Sequence, residues 1–99
     1  MVKWADFLIS EVRFGKGNKI EEIKQHIDDG QAISEGIMVK RADIFHNIKN
    51  GKTYKTIFHS LNGWKLGDDL KAFKVRGIHY IRADKNKVDQ DFLGPIPQF

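Results

Sequence analysis

An α+β fold is predicted: a small antiparallel sheet of about five strands, ending in a three-stranded meander and packed with one or two helices. Three observations predict it. Ninety-nine residues, 40% of them apolar and none of them cysteine, have room for one core, so residues 1–99 are expected to form a single small domain. Helical spacing of apolar residues recurs in two runs, Lys19–Asp29 and Arg41–Asn50, whereas other apolar runs are short and extended. Asn62-Gly63 and Arg76-Gly77 then mark two tight turns in the second half.

Phe7 to Phe14 reads as a half-buried strand, with Leu8, Ser10, Val12 and Phe14 on one side and Phe7, Ile9, Glu11 and Arg13 on the other. Gly15-Lys16-Gly17-Asn18 ends it. In the next segment Asn18 as N-cap, Glu21 three residues on, Ile20, Ile23 and Ile27 at helical spacing and Gly30 as terminator predict a helix over Lys19–Asp29. A strand pairing back on the first is the rival. Gly30–Gly36 reads as a polar loop, and Ile37-Met38-Val39 as a short extended piece. Arg41–Asn50 places Ile44, Phe45 and Ile48 on one helical face, with Gly51 just past the end and Arg41, His46, Asn47 and Lys49 outside.

After Gly51 the chain turns to β-structure. Thr53–Leu61 is rich in Thr, Tyr, Ile and Phe, and the Asn62-Gly63 turn sets Leu61 opposite Trp64. Gly67-Asp68 is expected to interrupt the returning strand as a bulge. A two-residue turn at Arg76-Gly77 sets Val75 opposite Ile78, Phe73 opposite Tyr80 and Lys71 opposite Arg82. Large aromatics on strands usually fill cores, so Phe73 and Tyr80 are expected inside. If Leu70, Ala72, Ile81 and Ala83 form the inner face instead, Phe73 and Tyr80 become an aromatic platform between cations, able to stack bases. The tail Phe92–Phe99 is too apolar for a free linker and is expected to dock on the domain.

Charge is distributed unevenly. With 17 Lys+Arg against 13 Asp+Glu the net charge is +4, and residues 1–50 are balanced, so the excess lies in the second half. The absence of cysteine removes disulfides and thiolate chemistry and fits a cytoplasmic location. The longest apolar runs are three residues, so no membrane-spanning segment or signal peptide is expected.

Motifs for chemistry fall short. His26, His46, His59 and His79 show no metal-ligand spacing, although His59 and His79 sit where strands could bring them together. Asp84-Lys85-Asn86 with Asp89 and Asp91 lacks the central Gly and terminal Glu of a calcium loop. Gly15-Lys16-Gly17 lacks the phosphate-loop pattern, and Ser10, Ser34 and Ser60 lie in no nucleophile-elbow motif. No cofactor and no enzyme activity are expected.

Taken as Gly51, Thr56, Gly63-Trp64, Gly67, Val75, Gly77, Tyr80-Ile81-Arg82, Asp91, Leu93-Gly94, Pro97 and Phe99, with Ile9-Ser10-x-Val12-Arg13 near the start, the sequence resembles a known pattern. It is similar to a family of short prokaryotic proteins catalogued as a domain of unknown function, whose members end in Tyr-Ile-Arg-Thr-Asp followed by Asp-Asn-Leu-Gly and Leu-Pro. Here Ala83 stands for the Thr, Phe92 for the Asn and Ile96 for the Leu, and Ile37-Met38 occupies the region where a Trp is common. The resemblance implies a small α+β domain with Lys19–Asp29 as a second strand, and it supplies no catalytic residues.

Two functional readings follow. The first is a non-enzymatic module binding RNA or DNA through the basic half, with Lys52, Lys55, Lys65, Lys71, Lys74, Arg76 and Arg82 on phosphates and Phe73 and Tyr80 as stacking groups. The second is a protein-interaction or self-associating module using an apolar sheet face or a sheet edge.

Overall fold

The computed structural model describes residues 4–61, 63–83, 91–94 and 96–99. Strands β1 (Phe7–Phe14) and β2 (Ile20–Ile27) form an antiparallel hairpin joined through a 3₁₀ turn at Lys16–Asn18, where Gly17 takes φ +71°. Strand β3 (Ile37–Lys40) adds antiparallel to β2, and helix α1 (Arg41–Lys49) carries the chain across. Strand β4 (Tyr54–Ser60) returns parallel to the first half of β1, and β5 (Gly63–Asp69) folds back antiparallel on β4. The resulting five-stranded mixed sheet has the order β3-β2-β1-β4-β5, and β6 (Lys71–Val75) with β7 (Ile78–Arg82) makes a separate two-stranded sheet. This is a small α+β fold with one helix among the described residues.

The helix expected over Lys19–Asp29 is a strand, and the reason lies in the pairing. Arg13 faces Glu22 and Phe14 faces Ile20, so Glu21 is an extra, unmatched residue. A bulge of this kind shifts the side-chain phase by one. Ile20 and Ile23, three apart, therefore both reach the core, as they would on a helix, while Ile27 is 51% exposed. A second bulge on β1 breaks the simple alternation expected there: Ile9 faces Gln25 and Glu11 faces Lys24, leaving Ser10 unmatched. Ile9 and Val12 consequently share one core, and Leu8 and Ser10 are also buried.

Both faces of the sheet are covered. Ile9, Val12, Ile20, Ile23 and Val39 pack with Ile44 of α1 and with Tyr54, Ile81, Leu93 and Ile96. Ala5, Leu8 and Ile57 form a smaller cluster, flanked by Trp4, Ile33 and Trp64. Helix α1 follows its predicted span to within one residue, with Asn50 as its C-cap and Gly51 at φ +83°.

The second half departs from the expected meander. Strands β5 and β6 are separated only by Leu70, yet they belong to different sheets, so two hairpins replace three consecutive strands. Leu70 is buried in the main core, and this anchor separates the two hairpins. In the β4–β5 hairpin Ser60 faces Gly63 and His59 faces Trp64, so Leu61 does not oppose Trp64. This register leaves Leu61 fully exposed at the tip, and position 62 lies outside the described residues. The β6–β7 register is the one the Arg76-Gly77 turn predicts, with Phe73 opposite Tyr80 and Lys71 opposite Arg82. Both faces of this hairpin are covered: Leu70, Ile81 and Ala83 join the main core, while on the other face Tyr80 is buried as expected and Phe73 opposite it is only half-buried.

The tail is tied to two strands. Phe92 N–H donates to Ile81 O at 2.9 Å and Ala83 N–H to Phe92 O at 2.7 Å. Further on, Val12 N–H donates to Pro97 O and Phe99 N–H to Val12 O, both at 3.0 Å. No described helix is long and apolar enough to cross a membrane.

Candidate nucleic-acid interface

The last turns of α1 lie against β6 and β7. Phe45, His46, Ile48 and Lys49 form one wall of a cleft of about 380 Å³, and Ala72, Phe73, Lys74 and His79 form the other. Helical spacing brings Phe45, Ile48 and Lys49 to this side, and the turn at Arg76-Gly77 sets Lys74 across from His79. The Phe45 and His79 rings lie with their centres 5.4 Å apart, and the Arg41 guanidinium lies 4.9 Å over the Phe45 ring. Ile48 also lines a second hollow of about 280 Å³ with Lys52, Thr53, Tyr54, Asp69, Leu70 and Lys71, so the two adjoin at this residue as neighbouring parts of one groove face.

Four lysines edge this groove: Lys49, Lys52, Lys71 and Lys74, each exposed. Its carboxylate, Asp69, lies 3.2 Å from Lys55 Nζ, which offsets its charge. The negative pole of the α1 C-terminus also points here, and it is quenched locally. Lys52 N–H donates to Asn47 O at 2.9 Å and Gly51 N–H to Ile48 O at 3.0 Å, while Lys49 and Lys52 supply positive charge. Below the groove Tyr54 donates its hydroxyl to Gln25 Oε1 at 2.6 Å and accepts from Asn47 Nδ2 at 2.8 Å. Burial pushes its pKa up, the Asn47 bond pulls it down and the charge of Asp43 raises it again.

Of the residues singled out from sequence, Lys52, Lys71, Phe73 and Lys74 come together here. Lys55 is paired with Asp69, Lys65 is exposed on β5 across from Phe58, and Arg76 sits at the exposed hairpin tip with φ +51°. Tyr80 and Arg82 are 7% and 8% exposed. Lys19 Nζ lies 5.9 Å from the centre of the Tyr80 ring, and the Arg82 guanidinium stacks 5.0 Å over Phe92. These two residues therefore do not form an open platform with Phe73, which is half-buried with its ring 6.1 Å from that of Tyr80. Phe45, His46, Lys49 and His79 join the site without any signal in the sequence that marks them as part of it. Their helix and strand were legible, but only the packing of α1 on the β6–β7 hairpin joins them.

Other candidate groups take structural or separate places. Asp91 is buried, and its carboxylate accepts from Ile20 N–H (2.8 Å), Ile81 N–H (2.9 Å) and Arg41 Nε and Nη2 (3.0 and 3.2 Å). Asp84, Lys85, Asn86 and Asp89 lie outside the described residues. His59 and His79 stand on strands of different sheets. His26 is buried beside Ser10, with Nε2 2.7 Å from Ser10 Oγ and Nδ1 2.8 Å from Ser34 O. Compared with protein families, with curated proteins and with solved structures, the chain matches none.

Proposed function

We propose that this chain is a binding module for single-stranded nucleic acid, RNA or DNA, seated in the groove between α1 and the β6–β7 hairpin. The observation that carries the reading is that Lys49 and Lys74 line a cleft with Phe73, while Lys52 and Lys71 line the hollow next to it. Lysines on a groove track phosphates without regard to sequence, and an aromatic face accepts any base. One base stacked on Phe73 contributes about 1–3 kcal/mol, and the phosphate contacts make affinity steeply dependent on salt. The lack of cysteine fits a cytoplasmic setting for such a module.

Fluorescence anisotropy with labelled single-stranded RNA, single-stranded DNA and duplex DNA tests this at low and near-physiological salt. Micromolar binding of single strands is expected, weakening steeply with salt and falling at least about tenfold in Lys71→Glu/Lys74→Glu. Lys65→Glu, off the groove, is expected to bind as the parent does. Absence of binding at low salt overturns the proposal. A second reading, self-association through a sheet edge, draws on β3, where Ile37 and Met38 are 58% and 52% exposed. Salt-insensitive dimerisation in sedimentation supports that reading, and a monomer counts against it.

A further inference from the structure

A larger cleft lies elsewhere, beside the smaller core cluster. It encloses about 800 Å³ between Ser10, Glu11, Lys24, His26, Glu35, Gly36, Phe58, Trp64 and Pro97. That volume is in the range of small-molecule sites. Ser10 and His26 sit at its floor, each about 5% exposed.

The hydrogen bonds select the tautomer of the neutral His26 ring. A carbonyl oxygen can only accept, so His26 Nδ1, 2.8 Å from Ser34 O, carries the ring proton. In the neutral ring Nε2 is then an acceptor, and Ser10 Oγ, 2.7 Å away, donates to it. This is the tautomer and the direction a general base requires. The orienting carbonyl is itself anchored: Ser34 N–H donates to Ile27 O at 3.0 Å, and Ser34 Oγ accepts from Ile27 N–H at 2.8 Å. Trp64 holds the other side of the imidazole, edge-on at 5.5 Å.

The backbone around the pair is also unusual. Ser10 is the unmatched residue of the β1 bulge, a device that re-aims a side chain and is common beside active sites. Gly36 lets the backbone pack close against the pair, since a Cβ there would stand 2.5 Å from Lys24 Cγ and 3.0 Å from His26 Cε1.

We infer that Ser10 is an activated nucleophile, with His26 as its general base, and that the cleft takes small uncharged esters with an apolar acyl group. Phe58, Trp64 and Pro97 supply apolar walls. Glu11 and Glu35 outnumber Lys24, which is 2.9 Å from Glu11, so an anionic substrate is disfavoured. In the reaction Ser10 Oγ attacks the ester carbonyl carbon as its proton passes to His26 Nε2. The tetrahedral adduct expels the alcohol oxygen, which takes that proton and leaves acyl-Ser10. Water, giving a proton to the same nitrogen, then attacks the acyl group and releases the carboxylic acid, and the proton returns to Ser10 Oγ. Ester and water become acid and alcohol, and no other reactant is required.

The test uses the full chain, diisopropyl fluorophosphate and p-nitrophenyl acetate near pH 8. Mass spectrometry is expected to find one diisopropylphosphorylated peptide, the one holding Ser10, together with a burst of p-nitrophenolate that Ser10→Ala abolishes. His26→Gln is expected to slow labelling by at least about a hundredfold, the usual share of a general base. Circular dichroism and thermal melting confirm that each variant is folded. Ser10→Cys gives a second readout that does not depend on the alanine variant, because the thiol beside His26 should alkylate with iodoacetamide faster than a free cysteine. A folded parent that stays unlabelled at Ser10, labelling that survives intact in a folded His26→Gln, or a thiol in Ser10→Cys that reacts no faster than free cysteine overturns the inference. None of these outcomes depends on nucleic-acid binding.

Discussion

Asp91 shows how much a single carboxylate can organise. Its two oxygens join β2, β7, α1 and the tail by accepting two backbone N–H groups and the guanidinium of Arg41. The Asp91 side chain is fully buried and that of Arg41 is 23% exposed, so solvent screens the ion pair little. Asp91→Asn removes the charge and turns an acceptor into a donor facing other donors. It is expected to lower stability by about 2–4 kcal/mol, read as a lower denaturant midpoint with unchanged slope. Asp29 acts locally and in full solvent. Its Oδ1 accepts from Ala32 and Gln31 N–H at 2.7 and 2.8 Å, which holds its pKa below the ordinary 3.8. A depressed carboxylate stabilises the fold above its unfolded value, and that contribution is lost as pH falls through the lower folded value. The Gln31 and Ala32 amide resonances should therefore titrate together with a midpoint below 3.8, and a midpoint at or above it would remove this account.

Among the elements, bulges decide what could be read beforehand. The α1 span, the β6–β7 register and the five-strand α+β plan were legible because capping, turn and alternation signals are local. β2 was not, because Glu21 inserts one residue and gives Ile20 and Ile23 a helix-like spacing on a strand. The groove was half legible: Lys52, Lys71, Phe73 and Lys74 lie in one basic stretch, whereas Lys49 and Phe45 join only through tertiary packing. The Ser10–His26 pair carried no signal, since its bulge and its 16-residue separation belong to no motif. A third bulge offers a direct test. Lys55 faces Asp69 and Ile57 faces Leu66, so Gly67 and Asp68 together oppose Thr56, whose Oγ1 accepts from Asp68 N–H at 3.0 Å. A Cβ on Gly67 would lie 2.9 Å from Thr56 O, whereas one on Gly51 meets nothing within 4 Å and bears only its positive φ. Gly51→Ala should cost about 1 kcal/mol and Gly67→Ala about 2–3 kcal/mol, so equal melting temperatures would argue against this close approach.

At the scale of the whole molecule the tail completes the sheet. β4 pairs with β1 only over Phe7–Ile9, which leaves the far half of that edge unpaired. The tail fills it, with Val12 giving its N–H to Pro97 O and its O to Phe99 N–H, and the Arg13 guanidinium lies 4.7 Å over the Phe99 ring. Ile96 is buried in the main core just before this contact. Removing residues 96–99 withdraws one buried isoleucine, worth about 2 kcal/mol, and two backbone hydrogen bonds at about 1 kcal/mol each. Part is returned by the freed chain, so a loss of about 2–3 kcal/mol is expected. The same truncation opens Val12 as a strand edge beside apolar surface, and open edges recruit other chains. Size-exclusion chromatography of the truncated chain should therefore show concentration-dependent association on top of a lower melting temperature. Lower stability without association would assign the tail to the core alone, and an unchanged melting temperature would show that β1 holds its edge without it.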